Sequence, residues 1–287
     1  MAVETLRFVQ PTQTDTGANY SDSLWGDCPI NALRDGTQRG YIFEDDFLSF
    51  NKTPATTEGN WAAGGGYAQF SSSGGTITAG TGQGGEAVLT EATDDEGVSF
   101  RTLSTPFKIS RSTLNFWFEC RIKTSTIADT KHNIIVGLMQ DVALTATMPI
   151  TAAGAIADTN IVGFRRTEAA SGGALLDTFY KADGVTAVTV QAGAVTLAAD
   201  TYVKLGIKFD AGTTPFNSGV GDGYGKYLLS FYANGVLLGT QKQIPSAAGT
   251  DFPNDVGLGL VIATLNATGT TPGTTTIDKW RAAQLLL

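Results

Sequence analysis

One histidine and two cysteines in 287 residues leave little material for the commonest metal and nucleophile chemistries. The single His132 excludes a multi-histidine metal centre. A Ser-His-Asp triad built on it would also lack the Gly-x-Ser-x-Gly elbow that holds a nucleophile. His132 therefore reads as a residue at the start of a strand, HNIIVGLMQ (132–140). Cys28 and Cys120 are too few for a disulfide scaffold or a thiolate metal site. Basic residues are scarce as well: 19 Lys and Arg against 27 Asp and Glu give a formal charge of −8 with no local basic cluster. That removes the electrostatic footprint of a nucleic-acid partner. The most apolar stretch, VGLGLVIATL (256–265), is about half the length of a membrane-spanning helix and reads as a buried strand, so no membrane partner is expected. The start, MAVETLRFVQ, carries Glu4 and no signal-peptide apolar core, which points to assembly in a cytoplasm, where Cys28 and Cys120 stay unpaired.

Charged residues make up only 16% of the chain while glycine reaches 35 residues, a usage that suits many strands joined by turns. Period-two alternation recurs from about residue 41 onward. In VKLGIKF (203–209), Val203, Leu205, Ile207 and Phe209 take one face, and Lys204 and Lys208 take the other, a core side and a wet side. In LNFWFECRIK (114–123), Cys120 falls on the apolar face with Phe116, Phe118 and Ile122, as a small buried hydrophobe. Asn234-Gly235 divides the two apolar runs of KYLLSFYANGVLLGT (226–240), and both residues tolerate the positive φ of a type I′ hairpin turn. About a dozen strands with short joints and no helix–strand alternation predict an antiparallel β-sandwich. The aperiodic segment 142–160, with Pro149 and Gly154, reads as a long surface loop.

Residues 1–40 differ in kind: they alternate nowhere for long, LRFVQ (6–10) excepted, and Pro29 and Gly36 bracket a short helical turn. They form an N-terminal arm ahead of a main domain at 41–287. The arm's apolar groups, Phe8, Tyr20, Trp25 and Ile30, lack a core of their own, so they pack either on the main domain or against a neighbour.

IFEDDF, the following Trp61, TYVKLGIKFD leading into YLLSFYANGVLLG, and the terminal TTTIDKWRAAQ together resemble the concanavalin A-like, laminin G-like jelly roll over 41–287. These motifs are strand and turn chemistry, so they imply a fold and say little about function. The arm, LWGDCP…LRDG…GYIFEDDF, placed ahead of such a domain, resembles virion proteins of tailed bacteriophages. That resemblance implies a non-enzymatic capsid decoration or cement protein on the head surface. Its partners would be the major capsid protein lattice and sister copies in a homo-oligomer, contacted through Phe8, Tyr20, Trp25, Ile30, Arg34 and Arg39 of the arm. The alternatives are a glycan- or receptor-binding fibre module of the same fold and, third, a carbohydrate-active enzyme.

The enzyme reading depends on carboxylate spacing. Retaining glycoside hydrolases of this jelly roll carry Glu-x-Asp-x-x-Glu or Glu-x-Asp-x-Glu on one strand, which sets two carboxylates about 5 Å apart. From Glu44 the series meets Asp46 and then Leu48 or Ser49, and from Glu91 it meets Thr93 and then Asp95 or Glu96, so neither completes the pattern. The expectation is a chain without enzymatic activity. Gly-rich runs at 64–66 and 80–85 lack a Walker Lys-Ser/Thr and read as turns, so no cofactor is expected. Acids near glycine at 93–97, 182–184 and 221–225 leave a structural calcium open, although none has EF-hand spacing and solvated turns are the expected reading.

Overall fold

Alternation along the chain closes into two antiparallel sheets. A computed structural model describes residues 19–47, 59–60, 67–72, 74–82, 85–91, 93–110, 113, 115–128, 132–140, 148–167, 174–211, 227–244, 251–267 and 273–286. In chain order the elements are α1 (Asp22–Trp25), α2 (Ile30–Arg34), β1 (Gly40–Asp45), β2 (Gly59–Asn60), β3 (Tyr67–Ser71), β4 (Thr76–Ala79), β5 (Ala87–Thr90), β6 (Gly97–Thr102), β7 (Phe116–Thr124), β8 (Asn133–Gln140), β9 (Ile161–Arg166), β10 (Leu175–Lys181), β11 (Val188–Thr196), β12 (Val203–Asp210), β13 (Leu228–Ala233), β14 (Val236–Leu237), β15 (Lys242–Gln243), β16 (Leu258–Leu265) and β17 (Thr274–Leu285). The expected strands are all present, and the short β2, β4 and β15, too brief to show a period, were not foreseen.

The first sheet runs β14-β13-β12-β7-β17-β5-β4, and the second runs β11-β10-β9-β8-β16-β6-β3-β2. The twelve-residue β17 serves two partners along one side: Thr274–Ile277 pairs with β5, and Trp280–Leu285 pairs with β1. The first strand of the main body thus closes against the last. Inward residues of both sheets meet in one core that includes Phe118, Cys120, Ile207, Phe209, Phe231, Ile262 and Trp280. Trp280 sits among Phe43, Phe47, Tyr67 and Phe100, with ring centroids 5.1 to 6.5 Å away, and its Nε1 donates to the Tyr67 hydroxyl at 3.0 Å. β16, the apolar run at 256–265, is buried along its whole length because it lies mid-sheet. The β13–β14 turn holds Asn234 at φ 48° and Gly235 at φ 76°, the paired positive values a two-residue hairpin requires. Among the described residues no helix is long and apolar enough to cross a membrane.

Two expectations about outward faces are corrected. Residues 148–156 of the supposed surface loop pack on the outside of the second sheet, where Met148 and Ile150 are buried with Ile135, Met139, Phe179 and Val261. The segment has no period because it covers a sheet as irregular chain. The supposed wet face of β12 is also covered: Lys204 is 1% exposed, because residues 19–35 lie across it. LRFVQ at 6–10 lies outside the described residues.

Both cysteines are buried and neither is in a disulfide, Cys120 lying in the core and Cys28 on the sheet-facing side of the arm. The denatured chain, untreated with reductant, should therefore titrate two thiols and the native chain far fewer. Fewer than two after denaturation would contradict this arrangement.

Candidate functional site

The outward side of the first sheet carries a row of charged and aromatic groups, and the arm is built onto it. Alternation turns Trp117, Glu119, Arg121 and Lys123 of β7 outward, beside Lys204 and Lys208 of β12, Arg281 of β17 and Glu44 of β1. A register shift between Ile277 and Lys279 adds Asp278 to the same side, where it pairs with Arg121. A bulge of this kind re-aims a side chain that strict alternation would have sent to the core.

The arm crosses this face in two short helical turns. Pro29 precedes α2, and Gly36 at φ 66° ends it in the left-handed conformation that glycine favours. Leu24 sits over Gly206, where a Cβ would come within 2.9 Å of it, so the missing side chain is what lets α1 lie flat on β12. Leu24, Trp25, Cys28 and Leu33 pack against Trp117 and Ala283, with Tyr20, Ile30, Ile42 and Tyr232 around them.

Polar contacts fix the register of this packing. Glu119, 1% exposed, accepts from the Ser21 amide at 3.0 Å, from Ser21 Oγ at 2.9 Å and from Trp25 Nε1 at 2.8 Å. Asp27 accepts from Trp117 Nε1 at 3.0 Å and from Lys208 Nζ at 2.6 Å, and the Asn19 carbonyl accepts from Lys204 Nζ at 2.9 Å. The Tyr20 ring lies 3.5 Å from the Arg281 guanidinium carbon and 4.3 Å from Lys279 Nζ, cation–π contacts from which water is largely excluded. Arg281 also pairs with Glu44, which Arg34 reaches at 2.5 Å. An open recess of about 450 Å³ remains beside α2, lined by Ile30, Asn31, Arg34 and Arg281 among others.

Burial tunes these groups. It raises the Glu119 carboxyl above the usual range, opposed by the Ser21 and Trp25 hydrogen bonds and by Lys204. Asp278 is likewise raised by burial, against the pull of Arg121. Burial lowers Lys279 from 10.5 to about 8, opposed by the charges of Asp278 and Glu119, and its Nζ has no hydrogen-bond partner. The folded chain thus releases this proton before the unfolded chain does. Between pH about 8 and about 10 the unfolded state binds more protons at this position, so its contribution to stability rises with pH across that window. Relative to the Lys279→Met variant, the wild type should gain stability on going from pH about 8 to about 10. A difference between the two melting curves that stays flat over that interval would contradict the buried amine.

Two further clusters lie off the arm. Near the open end of the first sheet, the Tyr202 ring stacks on the Arg121 guanidinium at 3.8 Å, and its hydroxyl donates to Glu86. Burial works to raise Glu86, but hydrogen bonds from Tyr202, Lys123 and Gly82 overcome it and lower the carboxyl. Between the sheets, Glu91 pairs with His132 Nδ1, and His132 Nε2 stands 3.0 Å from Thr275 Oγ1. Thr264 Oγ1 and the Gly273 amide donate to the same carboxylate at 2.7 and 2.8 Å. The chain Thr275–His132–Glu91 has the connectivity of a catalytic triad, but all three side chains are sealed in the interior, where no substrate reaches them. It is a polar tie between the two sheets.

Of the residues singled out in the arm, Tyr20, Trp25 and Ile30 are thus brought onto the first sheet, Arg34 pairs with Glu44, and Arg39 is exposed. Phe8 lies outside the described residues. Glu119 and the Glu91–His132 pair were missed, because their partners are distant in sequence and no local pattern announces them. Among the described residues, no group of three or more His, Cys, Asp or Glu could hold a metal ion.

No protein-family profile and no curated protein matches the sequence. Solved structures do match its fold. The carbohydrate recognition domain of Emp47p is similar at TM-score 0.50 and 10% identity, over 86% of this chain and 96% of that one. An endo-1,3-beta-glucanase from Streptomyces sioyaensis is similar at TM-score 0.50 and 13% identity, over 85% and 96%. A mixed-linkage glucan GH16 protein of Bacteroides ovatus, solved with a G4G4G3G product, is similar at TM-score 0.51 and 12% identity, over 83% and 98%. At these identities the likeness shows the fold, a concanavalin A-like jelly roll.

The likeness also corrects the expectation of a chain without enzymatic activity. Glucanases stand on this same sandwich, so neither the fold nor the incomplete carboxylate spacing around Glu44 and Glu91 separates this chain from carbohydrate-active enzymes.

Proposed function

We propose that this chain is a structural component of a tailed-phage virion, a decoration protein whose jelly roll is the displayed body on the head lattice. The observation that carries this reading is the docking of residues 19–35 on the first sheet: the charged face is occupied by the chain's own arm, bonded through Glu119, Asp27 and Lys204. An arm so held is part of the body, and its solvent side, with Asp22, Arg34, Asp35 and Arg39 exposed, is the surface offered to the capsid. Labelling of intact virions with an antibody to this chain, imaged by electron microscopy, tests the placement. Signal spread over the head is expected, and signal confined to the tail, or none, would overturn it.

A second reading, glycan recognition, is favoured by Tyr202. Its half-buried ring, stacked on Arg121 with Lys123 over it and Glu86 at its hydroxyl, sets an aromatic group among charged hydrogen-bonding groups, the mixture of side chains that sugar sites use. Glycan binding lost in Tyr202→Ala would support this reading. Release of reducing ends from a bound glucan would move the chain to the carbohydrate-active enzymes.

A further inference from the structure

On one flank the two sheets end in β11 and β14, strands that carry no charged residue of their own. Among the described residues, β11 pairs only with β10 and β14 only with β13. The two edges lie together, since the Thr240 amide, just after β14, donates to Gln191 of β11 at 2.9 Å. Residues 184–199 and 233–241 contain no Asp, Glu, Lys or Arg. Of the six large apolar side chains exposed among the described residues, Val185, Val236 and Leu237 sit here, the last two at 55% and 45%. Soluble sandwiches ordinarily blunt such edges with lysine, proline or a covering segment, because a free row of backbone donors and acceptors recruits another strand. Among the described residues β11 carries no lysine or proline; two register shifts against β10 interrupt it, and the chain at Thr240 reaches its Gln191 side chain without pairing along its backbone.

We propose that this flank is a self-association surface, on which a second copy of the chain pairs its β11 antiparallel with this one about a two-fold axis. The two β14 hairpins would then cover each other's Val236 and Leu237. Charge selects the partner. A chain of net charge −8 repels its copies over most of its surface, whereas β11 and β14 bring no charge of their own to a contact, the nearest charged groups being Arg165 and Asp177, which bond to β11 from the neighbouring strands, and Lys242 of β15. An isologous two-fold contact is also the simplest closed solution for an edge that matches itself, since each strand end meets the opposite end of its copy. The proposal is independent of where the protein is displayed, so its failure and that of the virion reading are separately visible.

Sedimentation of the full chain over a concentration series provides the test. The wild type should show a reversible monomer–dimer equilibrium. Ala192→Lys/Thr196→Lys, two exposed positions on β11 at which like charges would face their own copies, should weaken it about tenfold or more with an unchanged circular dichroism spectrum. Should that variant misfold, Ala192→Cys takes its place, and an intermolecular disulfide formed faster than in Ala198→Cys, beyond the strand, is the expected result. A wild type monomeric throughout, a folded lysine variant that dimerises as well as the wild type, or equal crosslinking at both cysteine positions would overturn the proposal.

Discussion

Replacing His132 with alanine should cost about 3–5 kcal/mol, the range for truncating a large buried ring. The imidazole bridges Glu91 and Thr275 between the sheets, and the ring and the Glu91 carboxyl are wholly shielded from water. Without it the Glu91 carboxyl keeps Thr264 and Gly273 as donors but loses its contact with the ring, and a ring-sized hole opens beside Gly273. The carboxyl oxygen that faced the ring is left buried without that partner. The apolar double variant Glu91→Leu/His132→Leu should recover part of the loss, because well-packed hydrophobes often replace buried pairs at little cost. Denaturant titration measures both. A single-variant loss below about 1 kcal/mol would mean that water enters this end of the sandwich.

Trp25→Ala should be nearly as damaging to the arm and much less so to the sheets. The indole is 4% exposed, fills the space against Trp117 and Ala283, and supplies one of the three donors held by Glu119. Truncating a buried tryptophan ordinarily costs about 3–5 kcal/mol. Here the observed loss is capped by the free energy of docking the arm, since the segment can lift away while the core stays packed. Hydrogen exchange should therefore show amides of residues 21–34 losing protection while β7, β12 and β17 keep theirs. Equal loss in arm and sheets would show that the arm is a cooperative part of the core.

These effects mark where local pattern stops carrying information. Alternation in VKLGIKF assigns Leu205 and Ile207 to the core, and Asn234-Gly235 sets a hairpin, because each depends on neighbours within a few residues. The same alternation turns Lys204 and Glu119 outward without saying what lies outside. That depends on Ser21, 98 positions before Glu119, and a carboxylate facing an arm looks like one facing water. Asp278 is outward only because of a bulge, and the segment after Met148 is buried without any strand period. His132 reads as a residue opening a strand. Its pairing with Glu91 arises from sheet stacking, which no spacing encodes.

The most direct test of the covered face is exchange of the indole protons, followed by NMR in heavy water. Trp25 Nε1–H and Trp117 Nε1–H are held on Glu119 and Asp27 across the arm–sheet boundary. Both should exchange as slowly as amides in the middle of β7, and in Glu119→Ala the Trp25 proton should exchange far faster while Trp280, in the core, stays protected. Exchange of the Trp25 indole at solvent rates in the wild-type chain would contradict an arm built into the body.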